Sequence, residues 1–422
     1  MKKSIFVLLF CVMGLALLSQ QVTEESVVIN VEVPVRVFEG NNFVDSLTID
    51  DFEILEDGLP QRVEAVYLVK KRSIERSEEK KRFLPETARS FFLFFELSEY
   101  DPKLGDALSY FIENAIFPED ELTIATPMKT YRLRGKALEV KSRDEIVDQL
   151  KGLIRRDTLL GASEYNNLIK SMEELARTLT ASILDAIEAN VVSQEVEQEQ
   201  NNYFIRMENL TPGDFKGRSI DEQLQIYQDL LMKLETLRSV DEKQMINFAD
   251  FLKDKEGRKY VYMFYQREFI PQIDPKILNE YLSLYQDRPN VTHAISSLSD
   301  LFTRHVEFDV DKVKQAYADS SVSIHFLHIT KPSPRVFGVY MSEASEDIFG
   351  PFREMADATG GFVDSSANPD FLFQEAVKAS ENYYLLYYSP KAYKSDGTFK
   401  NITVRVKDSK YRITHRVGYI AN

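Results

Sequence analysis

Apolar and polar positions follow two rhythms along this chain, and the change of rhythm divides it. Residues 27–37 (VVINVEVPVRV) alternate with period two in β-branched company, which predicts a half-buried strand. Pro34 marks it as an edge strand, because proline gives a ladder no donor. Turns at 39–42 and 56–58 separate it from two further short strands, expected at 52–55 and 62–69. Residues 90–98 (SFFLFFELS) form instead a continuous apolar run too short for a membrane span, as expected of a strand buried on both faces of a parallel sheet. Beyond it the spacing becomes three and four: Leu104, Ala107, Leu108, Phe111, Ile112 and Ala115 mark one face of a helix over 103–116. Strands expected at 122–126, 130–133, 260–265, 322–329 and 361–364 then share the chain with helices at 143–154, 347–359 and 370–380. That alternation predicts an α/β class with a doubly wound, mostly parallel sheet.

Two longer amphipathic stretches interrupt this pattern. Leu168, Met172, Leu175, Leu179 and Ile183 share a helical face, and Ile220, Leu224, Tyr227, Leu231 and Leu234 follow near-heptad spacing. Thr211-Pro212-Gly213 is a helix stop between them. A helical hairpin inserted over 156–256 is expected, its stripes either zipping onto each other or serving a partner. The tail returns to period two at 383–388, 400–406 and 411–419. With β units at both ends, the α/β domain reads as an insertion in a sandwich: a β module at 22–70, a charged linker at 71–88 (opening with KRSIERSEEKKR), the α/β domain at 89–380, and completing strands at 381–422.

Composition narrows the function classes. The 422 residues carry 67 acidic and 52 basic side chains, a net charge of −15, and no basic patch that could neutralise a phosphate backbone, so nucleic acid is not the expected partner. Lys2 and Lys3, an apolar run over 5–18 and a polar exit make residues 1–20 a secretory signal peptide, too short to span a bilayer. Its removal would leave an extracytoplasmic chain, periplasmic or secreted, with no transmembrane domain. It would also remove Cys11, the single cysteine, and with it disulfide and thiol chemistry.

The blocks VINVEVPVRV, SLTIDDFEILEDGLPQRV, ARSFFLFFELS, GRKYVYMFYQ, FREMADATGGFVDSS and YYLLYYSP, followed by DGTFKNITVRVKDSKYRITHRVGY, resemble in their order the von Willebrand factor A-related proteins of the acidobacterial type. The resemblance implies a von Willebrand A-like α/β domain flanked by a β-sandwich module and acting in adhesion or assembly. It also implies a place for a metal-ion-dependent adhesion site, where a divalent ion takes about six oxygen ligands. At the matching positions stand Glu96, Ser98 and Tyr100, where the family has Asp, Ser and Ser. Tyr265-Gln266-Arg267 replaces its Asp-Gly, and Thr178 or Thr180 stands in for its Thr. Two ligand positions are lost and Arg267 adds a positive charge, so Glu96 and Ser98 are expected to be the remnant of a degenerate metal site. No cofactor is then expected, magnesium being the one ion the remnant could recruit.

Catalytic patterns are missing from the sequence. His325 and His328 fall on opposite faces of one strand, no Gly-x-Ser-x-Gly elbow occurs, and Gly360-Gly361 follows a helix rather than preceding one. The expectation is a non-catalytic protein–protein interaction protein, metal-independent, with the acidic helical pair as its contact surface. The alternatives are a metal-dependent adhesin using Glu96 and Ser98, an extracytoplasmic hydrolase, and a structural envelope component.

Overall fold

The computed structural model describes residues 29–133, 136–192, 217–287, 289–302, 308–391, 393–407 and 410–422. The expected leader, Cys11 and the 211–213 helix stop lie outside them. The chain is a mixed α/β protein, and among the described residues no helix is long and apolar enough to cross a membrane.

Six strands come first: β1 (Val31–Glu39), β2 (Asn42–Phe43), β3 (Phe52–Glu56), β4 (Leu59–Gln61), β5 (Ala65–Lys70) and β6 (Ser73–Glu79). Strands from the far end of the chain join them. β15 (Asn382–Tyr388) runs antiparallel between β1 and β5, β17 (Arg412–His415) takes the other side of β1, β16 (Phe399–Val406) pairs with β3, and β18 (Gly418–Ile420) pairs with β16. The two resulting sheets close on a shared core that includes Val33, Val35, Ile54, Leu68, Tyr384, Leu386 and Val404. The period-two pattern of β1 therefore has a second meaning. Its valines fill this core, while the alternate positions Glu32 and Arg36 turn to the α/β domain, where Glu32 pairs with Arg258 and Arg36 donates to the carbonyl of Gly360.

Two expectations for this module change. β1 is an interior strand rather than an edge strand. Its ladder to β17 covers only Val35 to Phe38, so Pro34 sits where β1 is paired on the β15 side alone. The stretch 71–88 is not only a linker, because Ser73–Glu79 forms β6 on β5. Its charged side chains remain mostly in solvent, as an outer strand requires, so the backbone ladder carries it without any apolar signal.

The central sheet has the order β14-β12-β10-β7-β8-β9, built from β7 (Arg89–Glu96), β8 (Glu121–Ala125), β9 (Thr130–Leu133), β10 (Arg258–Gln266), β12 (Val322–Ile329) and β14 (Val363–Ser366). It is parallel except for β9. On one face, Phe91, Leu93 and Phe95 of β7 pack with α1 (Lys103–Tyr110), α3 (Arg143–Gly161) and α11 (Pro369–Glu381). On the other, Phe92 packs with α6 (Glu242–Lys253), α9 (Val310–Asp319) and α10 (Glu346–Ala358). A strand with both faces covered must be apolar throughout, which is why this one reads as an unbroken run. Each of these four side chains is 3% exposed or less, a burial that stabilises by about 1.5–3 kcal/mol apiece. The short helix α2 (Lys136–Val140) precedes α3, which starts on a capping box made by Ser142 and Glu145.

A third layer holds α4 (Ser163–Val192) and α5 (Ile220–Arg238) against α7 (Pro275–Leu284), α8 (Pro289–Phe302) and β11 (Phe269–Gln272), which pairs with β13 (Tyr340–Glu343). Met172, Leu175, Leu179, Leu224, Tyr227, Leu231 and Leu234 are all buried there together with Leu278 and Leu298. Both predicted stripes are thus consumed as core. The helical layer also reaches beyond residues 156–256, because residues 270–298 contribute to the same core.

Candidate binding cleft

The pairing of β7 with β10 places Glu96 beside Tyr265 at the carboxyl ends of the two strands. Ligands of open α/β sheets bind at that edge. Here it opens into a cleft of about 430 Å³. The floor is the ends of β7 and β10. The walls are the junction of α3 and α4 at Gly161 to Tyr165, the end of α5 at Leu237 and Arg238, and Ile348 and Phe352 of α10. Gly161 is needed where α3 meets the loop before β9, since a Cβ there would lie 2.6 Å from that of Pro127.

The loop after β7 is pinned from both sides. The Ser98 hydroxyl donates to Oε1 of Gln266 at 3.1 Å, and the Glu99 amide donates to the same oxygen at 3.0 Å. Asn166 of α4 donates to the Ser98 carbonyl at 2.9 Å. Glu99 in turn pairs with Lys331 at 3.1 Å. Across the cleft, Arg238 holds Glu268 at 2.9 Å and Glu235 at 3.1 Å, and donates to the Ala344 carbonyl at 2.6 Å. Glu96 has no hydrogen-bond or ion-pair partner among the described residues. Its concave surroundings, with a smaller contribution from the Glu268 carboxylate, raise its pKa above the usual carboxylate range. Burial likewise pushes the Tyr165 phenol up, keeping it a neutral donor.

The residues aligned with the family's metal ligands do not converge. Glu96 and Ser98 line the cleft, but the Tyr100 ring packs on the core around α1. Thr178 and Thr180 are buried in α4 and do not line the cleft, the Thr178 hydroxyl bonding back to the Glu174 carbonyl at 2.9 Å. Arg267 is turned to Glu343 at 2.7 Å, so the cation of the cleft is Arg238. No group of three or more His, Cys, Asp or Glu side chains is gathered for an ion among the described residues. Of the two carboxylates at the floor, Glu268 is already held by a guanidinium. These donors do not fit a six-oxygen magnesium site.

His325 and His328 lie on opposite sides of β12, the first stacked on Tyr262 and the second beside Phe349. Burial lowers the pKa of both, helped by Arg36 at His325 and by Arg267 at His328. Neither reaches the cleft. Sequence reasoning missed Tyr165, Arg238 and Glu268. The first two come from helices whose apolar stripes gave no sign of which polar residues face the sheet. Glu268 stands two positions past the end of β10, just beyond the Tyr265-Gln266-Arg267 stretch.

No protein-family model matches this chain, and no characterised protein matches it in sequence. Among solved structures it is similar to the human COPII-coat protein Sec24c, with 8% identity and a TM-score of 0.27, over 80% of this chain and 44% of that one. The chain thus spans less than half the length of that structure, and the likeness is too slight to define a shared fold.

Proposed function

We propose that this chain is a non-catalytic protein-interaction protein of the periplasm or cell exterior, built on a von Willebrand A-like domain and binding its partner without a metal ion. The observation that carries the reading is the contrast within the cleft. Ser98 and Gln266 satisfy each other where a metal site would need their oxygens, while Glu96 stands unpartnered between aromatic and aliphatic walls. Three carboxylates, Glu96, Glu164 and Glu268, and one guanidinium, Arg238, line the opening. Such a cleft selects a long basic side chain, whose methylenes meet Phe352 and Leu237 while its charge meets Glu96. The contact surface proposed here is therefore the mouth of the cleft, where the helical layer meets the sheet. The apolar stripes of α4 and α5 are occupied by each other and their neighbours.

A photo-crosslinking residue placed at Tyr165, with a second at the exposed Leu84 as control, tests this in the producing cell. The expected result is a discrete protein adduct from position 165 only, unchanged by a divalent-ion chelator and lost in Glu96→Arg. Adducts that vanish with the chelator would favour the metal-dependent adhesin, and equal adducts from both positions would overturn the assignment of the cleft.

A further inference from the structure

A second cleft, of about 290 Å³, lies where the β module meets the α/β domain, on the far side of the sheet from the Glu96 floor. Arg36 and His325 line it. Arg36 is 3% exposed, donates to the Gly360 carbonyl at 2.7 Å and to the Ser323 hydroxyl at 3.3 Å, and keeps its Nε without an acceptor. No carboxylate pairs with it among the described residues. His325 is fully buried, and its Nδ1 accepts from the Phe362 amide at 3.1 Å. That bond fixes the ring proton on Nε2, which also lacks an acceptor. A buried guanidinium without a counter-charge and a buried N–H without an acceptor are both costly, and here they border one space.

The other charges at this cleft do not supply the missing anion. Glu375 is paired with Lys378 at 2.8 Å; Asp364 keeps its charge at the exposed edge of the cleft, accepting only from the Ser365 amide at 2.8 Å, and forms an ion pair with neither Arg36 nor Arg412. Arg412 lies over the Phe38 ring at 4.5 Å and has no carboxylate partner among the described residues. Two cations, the buried Arg36 and the exposed Arg412 at the rim, therefore have no ion-pair partner among the described residues, on either side of a space walled by Phe43 and Phe371.

We propose that this cleft binds the oxyanion of a small molecule, a carboxylate or a phosphate, held between Arg36 and Arg412 with an apolar body against the phenylalanines. Guanidinium groups suit both anions because their forked donors match paired oxygens. The volume admits a ligand of few heavy atoms and no folded partner.

Calorimetric titration of the intact chain with inorganic phosphate and, separately, with benzoate tests the assignment, at constant ionic strength and with chloride as the reference anion. Saturable one-to-one binding of either probe is expected, weakened tenfold or more in Arg412→Gln and unchanged in Lys394→Gln, which removes an exposed cation outside the cleft. Binding of benzoate alone identifies a carboxylate ligand with an apolar body, and binding of phosphate alone identifies a phosphate ligand. Arg36→Gln should abolish binding, with far-ultraviolet circular dichroism checking its fold; Arg412→Gln carries the test if that variant does not fold. Absence of saturable binding by both probes, or equal binding in Arg412→Gln and Lys394→Gln, overturns the proposal.

Discussion

Arg89, the first residue of β7, and Asp120, immediately before β8, form a two-pronged ion pair inside the protein, with Nε at 3.1 Å and Nη2 at 2.5 Å from the two carboxylate oxygens. Their side chains are 3% and 0% exposed. The same guanidinium reaches the Ala115 carbonyl at 2.8 Å and lies against the rings of Phe91 and Phe117. Removing Asp120 leaves the buried Arg89 guanidinium without its carboxylate, so Asp120→Leu should cost about 3–5 kcal/mol. The double variant Arg89→Met/Asp120→Leu should lose less than the sum of the two single changes. Urea unfolding of the four proteins decides it, and strict additivity would mean that the pair is not coupled.

Gly361 sets the turn between α10 and β14. A Cβ there would lie 1.6 Å from the Ile324 carbonyl oxygen, so Gly361→Ala must push β12 and the turn apart. A loss of about 4 kcal/mol or more is expected. Gly397, whose φ of +69° needs glycine but which faces open space, should lose only about 1 kcal/mol as Gly397→Ala. Comparable losses at the two sites would contradict this account of the turn.

Acid sensitivity should begin with histidine. His325, His328 and His415 are all held below the ordinary imidazole range, chiefly by burial. As pH falls through about 6.5, the unfolded chain takes up protons that the folded one refuses, so stability falls with pH, by up to about 1.4 kcal/mol per pH unit for each histidine. The concave cleft, which thins the water around Glu96 although the residue stays exposed, raises its pKa, and partial burial raises that of Glu381. Their protonation acts in the opposite sense, nearer the carboxylate range. Urea midpoints measured from pH 7.5 to 5.5 should drop steadily; a flat profile would show that these rings can charge in place.

Lys259 gives the alkaline counterpart. It is 6% exposed, and burial together with Arg258, Arg416 and Lys255 pushes its pKa down to about 8. Between about pH 8 and the unfolded value near 10.5, the unfolded chain holds a proton that the folded chain has lost, so stability should rise with pH. At pH 7 the charge is carried at a cost of about 3 kcal/mol. Lys259→Met should therefore stabilise the protein at pH 7 by about 1–3 kcal/mol, less the hydrogen bond to the Lys255 carbonyl, and should abolish the rise between pH 8 and 9.5 in thermal unfolding.

What the sequence could reveal depended on where the apolar signal lay. The Phe-rich run of β7 was legible because both its faces are covered, and the helix after Ser142 because its cap and its apolar face agree. β6 was not, since its strand is written in backbone hydrogen bonds beneath a row of charges. Pro34 misled because a proline reports only that one donor is missing, and the ladder to β17 begins one residue later. At the cleft, Glu96 and Ser98 were legible from their place after a buried strand. Tyr165 and Arg238 were not, because their positions follow from how three layers stack rather than from any local spacing.

The position of β15 between β1 and β5 governs the order of assembly in time. Until residues 382–388 arrive, the first six strands have only one another, and their pairings amount to three separate hairpins, β1 with β2, β3 with β4 and β5 with β6. Isolated two-stranded hairpins are marginal in water. A nascent chain must therefore complete the whole central sheet and helical layer before its earliest strands gain a stable place, and long-range closure of this kind is slow. A chain that stops short of Asn382 would present those hairpins with free edges, so premature termination should yield aggregates rather than a smaller soluble domain.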